Sequence, residues 1–215
     1  MKIEKQEILS IRHFFQLRPV SCIVVSGGID SFFTAKTLEP VKMSKCMLKG
    51  DPLIIGALQS NNDIEITGGR VIAINDSEGH ILVSPDKIYC DIERRQHERY
   101  PVSLAASASC HETDVKHADA FVKDMSYVGF CFYSDSEFKV GHNIEVDIFL
   151  HNSIFSIGGT IIRKSVSYGR NEYGVQIVYK DRNAIYATRE FLDKLMVNEK
   201  EVIKKHLLKD FRICV

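Results

Sequence analysis

The chain has 215 residues, enough for one large domain or two small ones and for a substantial buried core. Hydrophobic residues make up 45% and charged residues 26%, which excludes wholesale disorder. Lys plus Arg number 28 and Asp plus Glu 28, so the formal net charge is zero. That balance argues against a protein that coats DNA through a general basic surface, and any anion recognition must be local.

No apolar run approaches the roughly 20 residues that a membrane-spanning helix needs. Met1 to Ser10 is charged and has no apolar segment, so no signal peptide is expected. Cys22, Cys46, Cys90, Cys110, Cys131 and Cys214 are scattered, with no C-x-x-C pair. They read as reduced, mostly buried thiols, which points to the cytosol.

In chain order, Ser21 to Val25 is β-branched, Ser26 to Asp30 is turn chemistry, and Ser31 to Thr37 resumes the strand character before Pro40. Two strands about a Gly-rich turn predict a hairpin. Pro52 to Ile55 predicts a strand, then a turn at Asn61-Asn62. Ile64 to Thr67 and Arg70 to Ile74 flank Gly68-Gly69. Asn75 to Gly79 predicts a turn and Ile81 to Val83 another strand. Short strands with frequent turns predict a small sheet or barrel over residues 1–90.

Composition shifts at Asp91 to Tyr100, D-I-E-R-R-Q-H-E-R-Y, which reads as a linker. Strands are predicted again over Pro101 to Ala108, Ala120 to Lys123, Phe130 to Tyr133, Ile144 to Leu150, Ile154 to Lys164 and Tyr173 to Tyr179. Their regular spacing predicts a closed sandwich or barrel. From Asn183 to Phe211 the apolar period becomes helical. Asn198-Glu199-Lys200 interrupts the stripe, so two helices and one bent helix both fit. The expected fold is mainly β: two small domains in tandem, 1–90 as a small sheet or barrel and 91–215 as a closed sandwich or barrel, with an arginine linker at 91–100 and a C-terminal helical segment at 183–211.

Two spacings carry chemistry. Arg94, Arg95 and Arg99 form R-R-x-x-x-R; Asp124, Ser126 and Gly129 form D-x-S-x-x-G. Each alone is weak, but the pair in this order, with a strand between and strands after, is specific. An arginine fork can hold phosphate oxygens in bidentate fashion, or pair with the O6 and N7 edge of guanine. Asp124 can accept from guanine's N1–H and exocyclic amine. Ser126 adds a small hydroxyl, and Gly129 allows a tight turn or close approach of a ligand.

These residues resemble the signature of PilZ domains, bacterial receptors for cyclic di-GMP. The resemblance extends through Gly129 to Ser134, Gly141 to Val146, Gly159 to Arg163 and Tyr173 to Ile177, covering roughly Asp91 to Leu195. It implies a six-stranded antiparallel barrel with a C-terminal helix, which agrees with the strand count. It implies that Arg95 and Arg99 wrap the ligand, that Asp124 and Ser126 hold a guanine, and that Gly129 shapes the turn. It also implies that Arg94 accompanies an intercalated ligand pair. Residues 1–90 are less specifically similar to the first domain of flagellar-brake-type PilZ proteins, through the hairpin near Val24, Lys49-Gly50-Asp51 and Ile81 to Ile88. The function implied is a non-enzymatic, cytoplasmic receptor. It binds cyclic di-GMP, changes its domain arrangement and signals to a protein partner such as the flagellar motor. No cofactor, metal, DNA or membrane span is expected, and the chain is a monomer or a homodimer.

Blander readings stand beside these. The arginines could be a solvated charged face paired with Glu93 and Glu98, and Asp124 to Gly129 a capped turn. The chain would then be a PilZ-like interaction adaptor with no nucleotide binding. Ser26 to Ser31, S-G-G-x-D-S, resembles the pyrophosphate loop of N-type ATP pyrophosphatases, which needs a following helix. Strand-favouring residues follow instead, and too few remain for a nucleotide-binding α/β domain. Cys110, His111, Glu112, Asp114, His117 and Asp119 match no standard metal spacing and read as a polar loop.

Overall fold

The computed structural model describes residues 3–14, 18–59, 61–86 and 97–211. The fold is mainly β: two closed, six-stranded antiparallel barrels in tandem and one C-terminal helix. The chain divides into two compact units. One comprises Met1–Ile92 with Met196–Val215, the other Glu93–Leu195.

The first barrel contains β1 (Ile8–Arg12), β2 (Val20–Gly27), β3 (Phe33–Thr37), β4 (Pro52–Leu58), β5 (Ile64–Asn75) and β6 (His80–Pro85), in the order β1-β2-β3-β6-β5-β4. Its core follows the period of two that pleating imposes. Leu9 and Ile11, Cys22 and Val24, Phe33 and Ala35, Leu53 and Ile55, and Ile81 and Val83 all point inward. Strand β1 is not among the sequence-predicted elements. Gly68-Gly69 does not interrupt the strand: β5 runs through it, and at Gly69, where a Cβ would meet Ile55 Cδ1 at 2.6 Å, the close packing uses the missing side chain.

The Ser26–Ser31 string connects β2 to β3 as a hairpin, with Gly27 at φ +86° and paired with Phe33. A strand, not a helix, follows it, so the pyrophosphate-loop geometry is not formed. Asp51, in Lys49-Gly50-Asp51, is buried. It accepts the Leu48 N–H at 2.7 Å and meets His13 Nε2 at 3.0 Å.

The second barrel contains β7 (Tyr100–Cys110), β8 (Ala118–Met125), β9 (Gly129–Ser134), β10 (Asn143–Phe149), β11 (Ile154–Ser167) and β12 (Arg170–Ile177), in the order β10-β11-β12-β9-β8-β7. Phe130, Phe132, Val146, Ile161, Tyr173 and Val175 fill its interior, plugged by Phe138. Phe132 stacks on Tyr173 at 5.1 Å, and the Tyr173 hydroxyl donates to Ser136 O at 2.8 Å.

The C-terminal segment is one continuous helix, α1 (Arg182–Phe211), running through Asn198-Glu199-Lys200. Asp181 caps it by accepting the Ala184 N–H at 2.8 Å. Its apolar stripe has two destinations. Leu192 joins the core of the second barrel. Ile203 and Leu207 pack on Ile54 and Ile64, on the outside of the first. Ile203 lies where β4 has Gly56, a position at which a Cβ would come within 2.5 Å of Ile203 Cγ2. Glu199 is buried there and pairs with Arg12. Among the described residues no helix is long and apolar enough to cross a membrane.

Candidate functional site

The D-x-S-x-x-G spacing falls at the end of β8 and the turn into β9. Backbone register sets Asp124 opposite both Pro101 on β7 and Cys131 on β9. The β7–β8 ladder is irregular between Pro101 and Leu104, and the β8–β9 ladder between Val122 and Asp124. Such irregularities re-aim side chains, and both occur beside Asp124.

Arg99 immediately precedes β7, so the chain delivers it to this end of the barrel. Its Nη1 donates to Asp124 Oδ1 at 2.7 Å, a charge-assisted distance. The pair is partly open to solvent, with side chains 28% and 18% exposed. The next residue, Tyr100, packs edge-on against Tyr127, with ring centroids 6.3 Å apart. Tyr127 lies inside the turn and donates to Asp193 on α1 at 2.8 Å, a bond that holds its phenol well above the ordinary tyrosine range. The Arg189 guanidinium sits 5.4 Å from the Tyr127 ring centre. The first half of α1 thus clamps the turn that carries Asp124. Arg94 and Arg95 lie outside the described residues.

Ser126 is placed differently from the sequence expectation of a ligand-facing hydroxyl. It is 1% exposed. Its Oγ donates to Gly129 O at 3.0 Å and accepts the N–H groups of Val128 and Gly129 at 3.4 and 3.2 Å. Every one of these contacts lies within the turn. Gly129 begins β9 opposite Gln176, where a Cβ would lie 2.5 Å from Val175 O. The glycine is required by close approach of β9 to β12, with no left-handed backbone involved.

Sequence spacing did not single out the charges around Asp124. Lys123 Nζ lies 3.8 Å from Asp124 Oδ2 and 3.6 Å from Glu172 Oε1. Glu172, on β12 and 8% exposed at its side chain, also accepts from Arg163 Nη2 at 3.1 Å. Beneath them is the Cys131 thiol, fully buried. Burial first and the Asp124 charge second push its pKa far above the ordinary range, so it is an inert thiol. The ladder irregularities between Val122 and Asp124 on β8 and between Ile161 and Arg163 on β11 interrupt the period of two just before Asp124 and Arg163, and only the register shows that these residues meet.

Elsewhere on the same barrel, Cys110 Sγ donates to Glu112 at 3.3 Å and lies 3.5 Å from His142 Nδ1. Glu112 also accepts from Asn143 N and Nδ2 at 3.1 and 2.9 Å. Among the described residues no group of three or more His, Cys, Asp or Glu is arranged to hold a metal ion.

A family model for the PilZ domain matches residues 93–193. A comparison with curated proteins found no match. Among solved structures, the chain is similar to the inhibitor of motility MotI/DgrA of Bacillus subtilis, at 14% identity and a TM-score of 0.41, covering 92% of this chain and 100% of that one. It is similar to YcgR of Escherichia coli in complex with c-di-GMP, at 10% identity and a TM-score of 0.44, covering 93% and 88%. It is also similar to MrkH of K. pneumonia in complex with c-di-GMP, at 10% identity and 0.44, covering 91% and 90%.

Proposed function

We propose that this chain, which carries a PilZ domain over residues 93–193, is a receptor for cyclic di-GMP rather than an enzyme. The observation that carries the reading is the convergence of its two motifs: Arg99 Nη1 lies 2.7 Å from Asp124 Oδ1 at one end of the second barrel. Arg94, Arg95 and Arg99 bring three positive charges for two phosphates in a chain of zero net charge. Arg99 can turn a fork to phosphate or to a guanine edge, and Asp124 can accept from the guanine N1–H and amine. Ser126 and Gly129 serve this site by holding the turn that aims Asp124.

The signalling step is a population shift. The arginines belong to the segment between the β6 and β7 strands, so a ligand that engages them biases how the domains 1–90 and 91–215 are arranged. The output is a protein contact in motility or biofilm control, the flagellar motor being the partner proposed, with the chain cytoplasmic and recruited to the basal body. Scattering profiles that do not change on saturation with ligand would exclude the rearrangement.

The test of the receptor reading is calorimetric titration of the full chain with cyclic di-GMP, with cyclic di-AMP and GTP as controls. Binding of cyclic di-GMP alone supports it, and the stoichiometry decides between one ligand and an intercalated pair. No binding by calorimetry or by an equilibrium assay independent of enthalpy overturns it and leaves a protein-interaction adaptor.

A further inference from the structure

We propose that Arg163 is a further ligand-binding residue, reading the acceptor edge of a guanine whose donor edge is held by Asp124. The proposal rests on the receptor reading above and names the group that makes the site select guanine over adenine.

Register brings the two residues into one line. Asp124 on β8 is paired with Cys131 on β9, Cys131 with Gly174 on β12, and Gly174 with Arg163 on β11. Asp124 and Arg163 therefore lie on a single cross-strand row, separated by two residues that raise no bulk between them. Cys131 is fully buried, and Gly174 has no side chain. The Arg163 side chain lies over that glycine: a Cβ there would be 3.4 Å from Arg163 Nε and 4.0 Å from Nη2. The guanidinium thus leans along the row toward Asp124.

Its orientation is fixed from below. Glu172 holds Nη2 at 3.1 Å and is itself 8% exposed, while the Arg163 side chain is 59% exposed. A buried carboxylate that anchors an open guanidinium presents the fork rather than hiding it. Among the described residues Nη1 and Nε take no other partner. Lys123, 11% exposed, lies between Glu172 and Asp124, at 3.6 and 3.8 Å. The result is an unbroken chain of alternating charge: Arg99, Asp124, Lys123, Glu172, Arg163.

The order of charges matches guanine. A carboxylate accepts from the N1–H and the exocyclic amine, and a guanidinium fork donates to O6 and N7 at the opposite edge. A purine laid along the row meets both, with the Lys123 ammonium under the ring face. Adenine offers an amino donor where guanine has O6, so the Arg163 fork meets a donor and binding is lost.

The experiment is calorimetric titration of the full chain with cyclic di-GMP and with cyclic di-AMP, for wild type, Arg163→Ala, Arg163→Lys and Glu172→Gln. Lys180→Ala, at an exposed position, controls for net charge. Arg163→Ala is expected to weaken cyclic di-GMP roughly ten- to hundredfold and to narrow its margin over cyclic di-AMP. Arg163→Lys, which keeps the charge without the fork, should regain only part of the affinity and little of the margin. Glu172→Gln should fall between wild type and Arg163→Ala. Wild-type affinity in Arg163→Ala, or equal losses in Arg163→Ala and Lys180→Ala with the margin unchanged, overturns the assignment. Wild type that binds neither nucleotide overturns the receptor reading itself. If Arg163→Ala does not fold by its thermal melt, the affinity and margin of Arg163→Lys decide.

Discussion

Ser126→Ala separates a turn-building hydroxyl from a ligand-binding one. The wild-type Oγ is 1% exposed and makes three contacts inside the turn: one donated to Gly129 O and two accepted from the N–H groups of Val128 and Gly129. Alanine removes the acceptor for two amides and the donor to one carbonyl. Ser126 N still donates to Gly129 O at 2.8 Å, so the turn keeps one bond. Leaving a buried donor unpaired costs about 1–3 kcal/mol, and the two longest contacts place the expected loss near 2 kcal/mol. For a chain of this size that lowers the melting temperature by roughly 4–8 °C, read by calorimetric or circular-dichroism melting. Cyclic di-GMP affinity, measured well below the melt, should stay within about threefold of wild type, because no ligand contact is removed. An unchanged melt together with a tenfold loss of affinity would refute the reasoning and make the hydroxyl a ligand group.

Arg99→Ala should weaken cyclic di-GMP about ten- to hundredfold in an equilibrium titration and change stability by less than about 1 kcal/mol, because its pair with Asp124 is partly solvated. Gly56→Ala should destabilise by about 1–3 kcal/mol through collision with Ile203 Cγ2, and Ile203→Ala should restore part of that loss in the double variant; strictly additive losses would deny the contact. Arg12→Ala should destabilise increasingly as pH rises above about 4.5. Burial already raises the Glu199 pKa despite Arg12, so the stability linked to its proton is complete below the unfolded value and falls as pH rises through the folded one. Denaturant unfolding at several pH values checks this, and a pH-independent loss would contradict it. Glu112 has the opposite sign. Hydrogen bonds led by the Asn143 N–H depress its pKa to about 2, so its contribution is present above about 4.5 and lost as pH falls toward 2. The melting difference between wild type and Glu112→Gln should shrink over that window; a constant difference would refute the role.

The strands were legible wherever one face is buried, because burial imposes a period of two that composition cannot hide. Val24 with its hairpin and Ile144, Val146 and Ile148 show it plainly. Strand β1 was not legible. It has five residues, only Leu9 and Ile11 join the first core, and the charged residues before it dominate the local composition. The helical period of α1 was legible, but its continuity and its destinations were not. Asn198-Glu199-Lys200 reads as a polar break, yet Glu199 is buried because Arg12, 187 residues earlier, supplies a counter-charge. Long-range pairing of that kind leaves no local trace.

The site was legible as spacing and not as geometry. Asp, Ser and Gly are the residues of a ligand turn and equally of a structural one, so the motif alone could not assign Ser126 its place. Arg163 and Glu172 follow Asp124 by 39 and 48 positions, and only the β8-β9-β12-β11 register brings them together. Geometry also changes the energetic reading of Asp124. Its carboxylate already holds Arg99 at 2.7 Å and has Lys123 at 3.8 Å. On the proposed receptor reading, a guanine would exchange one set of charged contacts for another, and the gain would be a difference rather than a full hydrogen bond. On that reading Arg99, on leaving Asp124, would meet a phosphate or a base edge and recover an acceptor. The net driving force would then lie in the surplus positive charge of the arginines meeting two phosphates, with Asp124 contributing chiefly selectivity. Binding strength should accordingly fall with salt more steeply than the preference for guanine does.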